Sequence, residues 1–176
     1  MIGNEKIVIK GENASGKSTL IKAILQDPNV RISGTWHIPK IQDIGYLDQH
    51  YKTLIHDKTV LESIEEVVSG WSEQDICRHL NDFLFRHKTE VNALVSSLSG
   101  GEKARLSLAK IAACTPKLLI LDEITNNIDL ETKEHIIQVL NEYSGAMIVI
   151  SHDEGFLKKI NLTTVYEIKN KVISSL

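Results

Sequence analysis

Apolar and polar positions along the chain fall into two periods, one of strands and one of helices. The run Ile7-Val8-Ile9 predicts a short strand ending at Gly11, and Lys17 to about Gln26 predicts a helix stopped by Asp27-Pro28. Residues 32–47 carry short β-like pieces. In 60–85, Val60, Leu61, Ile64, Val67 and Val68 share one helical stripe, so the segment reads as two helices, the main part of a helical insert over about 60–97. A further helix runs to about Cys114. KLLILDE (117–123) and AMIVISHD (146–153) open on continuous apolar runs and read as strands covered on both faces, with a helix around 131–142 between them. A short helix near 155–160 and a hairpin turning at Asn170-Lys171 complete the pattern, Asn-Lys being a weaker turn signal than Asn-Gly. The expected fold is α/β, a mainly parallel sheet flanked by helices.

Composition narrows this to one domain, since 176 residues with 42% hydrophobic content suffice for one core and not for two of ordinary size. A net charge of −3 argues against a surface that is basic all over, as a nucleic-acid coat would need, and leaves room for a local basic strip. Cys77 and Cys114 are the only cysteines and have no metal-ligand spacing, so they read as reduced thiols of a cytoplasmic protein. No apolar run approaches the roughly 20 residues of a membrane span, so no membrane insertion is expected.

The strand-to-helix junction carries the clearest chemistry. Gly11, Glu12, Asn13, Ala14, Ser15, Gly16, Lys17 and Ser18, followed by Thr19, satisfy G-x-x-x-x-G-K-S/T between a strand and a helix. The glycines let successive backbone N–H groups converge on phosphate oxygens, and the helix start adds roughly half a positive charge. Lys17 would reach the β- and γ-phosphates and Ser18 would offer its hydroxyl to Mg²⁺. Asp122 would supply the carboxylate across the metal, with Glu123 beside it at the end of a buried strand.

A second turn invites the same reading. Ser99-Gly100-Gly101-Glu102 is an S-x-x-E capping box, worth about 1 kcal/mol of helix stability. A cap alone needs no glycines, and Gly100 and Gly101 make sense if an anion must come close to the helix start.

LSGGE, the phosphate loop, LLILDE and ISHD in this set resemble the ATP-binding cassette (ABC) ATPases over nearly the whole chain. The resemblance implies ATP and Mg²⁺ as ligands and a second ABC cassette, in the same or another chain, as partner. The LSGG turn of one cassette would close over the γ-phosphate held by the other. It further implies Gln49 as the Q-loop residue near Mg²⁺ and the attacking water, Glu123 as general base, His152 as the histidine facing the γ-phosphate, and Asp129 as the D-loop aspartate. The remaining histidines, His37, His50, His56, His79, His87 and His135, read as surface or core residues. GYLDQHY (45–51), FLF (83–85), LSGGEKARLSLAKI (98–111) and ITNNIDL (124–130) look most like the ABC-F translation-factor ATPases, which implies the ribosome or its RNA as a further partner. Two alternatives stand beside it: a transporter's ATPase subunit, and a truncated module that binds nucleotide without turnover.

The sequence departs from the family pattern at several places. Ile124 stands where proline usually follows the glutamate, and Asn127 where histidine is usual; both bear on the D-loop backbone. Ala14 replaces a common glycine, which is tolerable if its φ stays negative. The chain starts one strand before Gly11, so it resembles an isolated second cassette with a reduced N-terminal β part. The aromatic on which adenine usually stacks is then missing, base binding should be weak, and Tyr46 and Trp36 are the first candidates to replace it.

Overall fold

The computed structural model describes residues 5–126 and 128–175. Among the described residues six strands form one sheet: β1 (Lys6–Lys10), β2 (Ile44–Asp48), β3 (Leu118–Asp122), β4 (Ala146–Ile150), β5 (Thr164–Lys169) and β6 (Val172–Ser175). Their spatial order is β2-β3-β4-β1-β5-β6, parallel throughout except for the β5–β6 hairpin. Because side chains alternate across a strand, each central strand feeds two cores. Ile7, Ile9, Ile120, Ile148 and Ile150 pack on one face under α1 (Lys17–Ile24), with Ile21 and Ile24. Val8, Leu121, Met147 and Val149 pack on the other with Leu106 and Ile136, from α5 (Gly100–Cys114) and α6 (Leu130–Glu142). Burial on both faces explains why β3 and β4 read as continuous apolar runs; each such side chain contributes roughly 1.5–3 kcal/mol. Lys6 ties β1 to the end of α6 by donating to the Leu140 and Asn141 carbonyls, at 2.8 and 3.3 Å.

The 60–97 segment is helical: the two helices expected over 60–85 are α2 (Val60–Glu65) and α3 (Glu73–Asp82), and a short third, α4 (Lys88–Val91), follows them. Thr59 and Ser72 open α2 and α3 as complete capping boxes. Leu84 at φ 65° breaks the path between α3 and α4. Backbone bonds from Val60 to Ala93 and from Val95 to Lys58 close the insert at its base. The β-like pieces of 32–47 reduce to β2: residues 31–40 form no strand, and Ile32 and Trp36 are 42% exposed. The strand expected over 146–153 stops at Ile150, where Ser151 turns its hydroxyl to the Asp153 N–H. The short helix expected near 155–160 is α7 (Glu154–Leu157). The C-terminal hairpin turns at Asn170 and Lys171, both left-handed at φ 50° and 63°, the conformation a two-residue hairpin loop demands. Among the described residues no helix is long and apolar enough to cross a membrane.

Parallel pairing in register brings the carboxyl ends of four strands to one edge: Asp48 lies beside Asp122, Asp122 beside Ile150, and Val8 beside Val149. Ligands of open α/β sheets bind outside this edge.

Candidate functional site

Gly11, at φ 155°, ends β1. A Cβ there would come within 2.7 Å of both the Ile168 carbonyl and Ser15 Oγ, so only glycine fits. The loop turns back through Ala14 (φ 61°) and Gly16 (φ 116°). The positive φ at Ala14 overturns the expectation of a negative one. The loop must aim consecutive N–H groups at one centre, and that demands a left-handed residue whether or not it is glycine, at a cost of about 1–2 kcal/mol for alanine. Gly16 opens α1 with no side-chain cap and no acidic residue in the first turn, so the first-turn N–H groups receive no side-chain acceptor. Among the described residues, Ser15 Oγ is buried without a hydrogen-bond partner. Lys17 Nζ donates to the carbonyls of Gly11 and Glu12, at 2.7 and 2.9 Å, which lays the ammonium across the loop. Glu12, Asn13, Ser18 and Thr19 are exposed around it. An orphaned hydroxyl, uncapped N–H groups and a lysine suit a polyphosphate.

Asp122 ends β3, half-buried. Its carboxyl is pushed above the usual range, first by burial and then by the Asp48 charge, while the Tyr46 hydroxyl at 3.3 Å and the Lys17 ammonium pull it back. A carboxylate so poorly solvated, with the Ser18 hydroxyl on the loop, is the hard-oxygen donor set that fits Mg²⁺. Glu123 follows at φ 54°, its N–H held by the Ile150 carbonyl at 2.9 Å. With Ile at 124 in place of proline, Glu123 is released from the extended conformation that a following proline favours, and Ile124 fills the core at 1% exposure.

The Glu123 carboxylate meets His152 Nε2 at 3.4 Å, and Thr125 Oγ1 lies 3.0 Å from Ser151 Oγ. The loops after β3 and β4 are therefore joined. Gln49 starts the loop after β2 and is exposed, its amide 3.0 Å from His50 Nε2. Asp48 holds that loop by accepting from the N–H groups of His50 and Lys52. Asp48 was missed as a site residue in the sequence, and Tyr46 was named there only as a candidate for base stacking; the signal was the strand register, which sets both on the Asp122 face.

Ser99 caps α5 as expected: its hydroxyl accepts from the Glu102 N–H at 3.3 Å, and Glu102 Oε2 accepts from the Ser99 N–H and hydroxyl, at 2.8 and 2.6 Å. Gly100 is exposed, whereas Gly101 is buried for a reason other than an anion's approach. A Cβ at Gly101 would meet Asp129 Oδ2 at 2.8 Å and Thr132 Oγ1 at 3.0 Å. Asp129 itself caps α6, and the Thr132 N–H holds its carboxyl below the usual range. Asn127, the other D-loop departure, lies outside the described residues. Lys133 pairs with Asp153, tying α6 to the His152 loop.

The polar atoms of both candidate aromatics have partners of their own. The Tyr46 hydroxyl is engaged by Asp122. Trp36 donates to the Ser33 carbonyl at 2.9 Å and lines an apolar cavity of about 1,200 Å³ whose wall includes Leu118 and Ala146, the first residues of β3 and β4.

Comparison with known proteins agrees with this layout. The ABC transporter family model matches residues 3–126. The chain is 38% identical over 158 residues to the ATP-binding protein Uup of Buchnera aphidicola subsp. Schizaphis graminum, covering 88% of this chain and 26% of that protein. It is 36% identical over 161 residues to Uup of Escherichia coli, covering 89% and 25% respectively. To ABC transporter F family member 5 of Arabidopsis thaliana it is 39% identical over 166 residues, covering 89% and 22%. The chain thus spans about a quarter of the length of these relatives.

Proposed function

The chain belongs to the ABC transporter family, as an ABC ATPase cassette with ABC-F homologues, and from that premise we propose that it hydrolyses ATP as a head-to-tail switch acting in translation. The observation that carries the reading is one sheet edge on which an open phosphate loop, Asp122 and the Glu123–His152 pair converge. The N–H groups of 15–19 and Lys17 hold the phosphates, and Ser18 and Asp122 would hold Mg²⁺. When bound, that cation neutralises charge on the transferring phosphoryl group. Glu123 takes a proton from the attacking water as the γ-phosphate separates to give ADP and phosphate. His152 faces that phosphate, and Gln49 approaches the water and the metal when its loop closes. The exposed Ser99–Gly100 turn serves the nucleotide of a second cassette, in the same or another chain. The resemblance of the 45–51, 83–85, 98–111 and 124–130 segments to the ABC-F translation-factor ATPases is what supports the ribosome as the machinery on which closure acts.

Glu123→Gln tests the reading. Nucleotide binding should persist while hydrolysis slows by about 10²–10⁴-fold, the usual worth of a positioned general base, and ATP-bound dimers should accumulate in light scattering. Hydrolysis at the wild-type rate would remove Glu123 as base. A slow variant that stays monomeric would remove the closing switch. Turnover of the wild type with and without added ribosomes tests the translational assignment.

A further inference from the structure

We propose that Tyr46 is a positioning residue for the cation site, its hydroxyl holding Oδ2 of Asp122 so that Oδ1 meets the metal. The inference rests on the ATP–Mg²⁺ reading above and adds to it a residue outside the phosphate loop and the strand end. β2 and β3 pair with Tyr46 opposite Ile120 and Asp48 opposite Asp122. Two residues of strand rise about 7 Å, the reach of a tyrosine side chain lying along the sheet, so the phenol spans from its own backbone to the carboxylate. Tyr46 lies on the α1 face, packed against the Ile7–Ile120–Ile148 core, and this packing fixes its ring. The Tyr46 hydroxyl donates to Asp122 Oδ2 at 3.3 Å, long for a hydroxyl on a carboxylate, so it steers that group without saturating it.

A second carboxylate makes the steering necessary. Asp48 faces Asp122 across the strand pair, and like charges directly opposite repel. Asp48 is itself held away by the N–H groups of His50 and Lys52, leaving Tyr46, among the described residues, as the donor that fixes Asp122. Outer partners of this kind orient metal ligands, and removing them weakens the metal rather than the rest of the site.

Tyr46→Phe keeps the packed ring and deletes the donor. Calorimetric ATP titrations of wild type and variant, run in EDTA and over a Mg²⁺ series, separate the roles. The expected result is equal ATP affinity in EDTA, an unchanged melting temperature, and an approximately 3- to 10-fold higher Mg²⁺ concentration for half-maximal enhancement. Mn²⁺ substituted for Mg²⁺ should give an altered paramagnetic resonance spectrum of the ternary complex. Identical Mg²⁺ curves would make Tyr46 a packing residue only. An equal loss of ATP affinity with and without metal would place its effect on the loop instead. A wild type whose ATP affinity ignores Mg²⁺ would overturn the cation reading of Asp122 itself, an outcome visible before the variant is made.

Discussion

At Gly16 and at Ser99 a helix begins with glycine at its cap or in its first turn, yet the N–H groups of that turn are treated in opposite ways. α1 starts without a side-chain cap, without a first-turn acid, with an orphaned Ser15 hydroxyl and with left-handed residues at 14 and 16. α5 starts with a closed capping box, Glu102 in its first turn, and a glycine already filled by Asp129 and Thr132. A helix start that leaves its donors open and stores backbone strain is prepared for an anion; one that satisfies its own donors is prepared for stability. What the second turn has left for the proposed partner is its exposed outer surface, Ser99 and Gly100, rather than a vacant cradle.

The largest expected contrast is in charge. Lys17→Ala should lower ATP affinity by about 100-fold, since a charged hydrogen bond contributes roughly 1.5–3 kcal/mol and Lys17 is the cation laid across the loop. Lys103→Ala, in the first turn of α5, should leave affinity unchanged in the same calorimetric titration. Equal losses would erase the distinction between the two helix starts.

Ser99→Arg sharpens the comparison from the other side. The isolated chain should bind nucleotide within about 2-fold of wild type, lose about 1 kcal/mol of stability with the cap, and lose ATP-driven association and turnover. Failure to bind nucleotide as a monomer would refute a role in a partner's site. Gly101→Asp is a poor probe for the same purpose. Its new side chain would collide with Asp129 Oδ2 and disturb the D-loop directly.

The difference between the turns also marks what the sequence made legible. The capping box at Ser99, the strand under LLILD and the hairpin at Asn170-Lys171 are local patterns, and they appear where the residues place them. The two-face burial of β3 and β4 was readable for the same reason. What escaped depends on partners distant in sequence. The Tyr46–Asp122 bond and the Asp48–Asp122 pairing exist only once β2 lies beside β3, 76 and 74 residues apart respectively. Gly101 looked like an opening for a ligand because the sequence does not reveal that Asp129 occupies it. Within 32–47, which read as short β-like pieces, residues 32–40 pair with no strand among the described residues.

The smallest effect concerns the strain itself. Ala14 sits at φ 61°, where a Cβ costs about 1–2 kcal/mol, whereas alanine gains about 0.4–1 kcal/mol over glycine by restricting the unfolded chain. Ala14→Gly should therefore stabilise the protein by about 0.5 kcal/mol, a rise of roughly 1–2 °C in melting temperature for a chain of this size. The corresponding change at the second turn runs the opposite way: Gly101→Ala would drive a Cβ to 2.8 Å from Asp129 Oδ2 and should destabilise. Thermal unfolding of both variants without nucleotide reads the two signs directly. A melting temperature lowered by Ala14→Gly would mean that residue 14 is not left-handed in the free chain, and that the loop is shaped only when phosphate arrives.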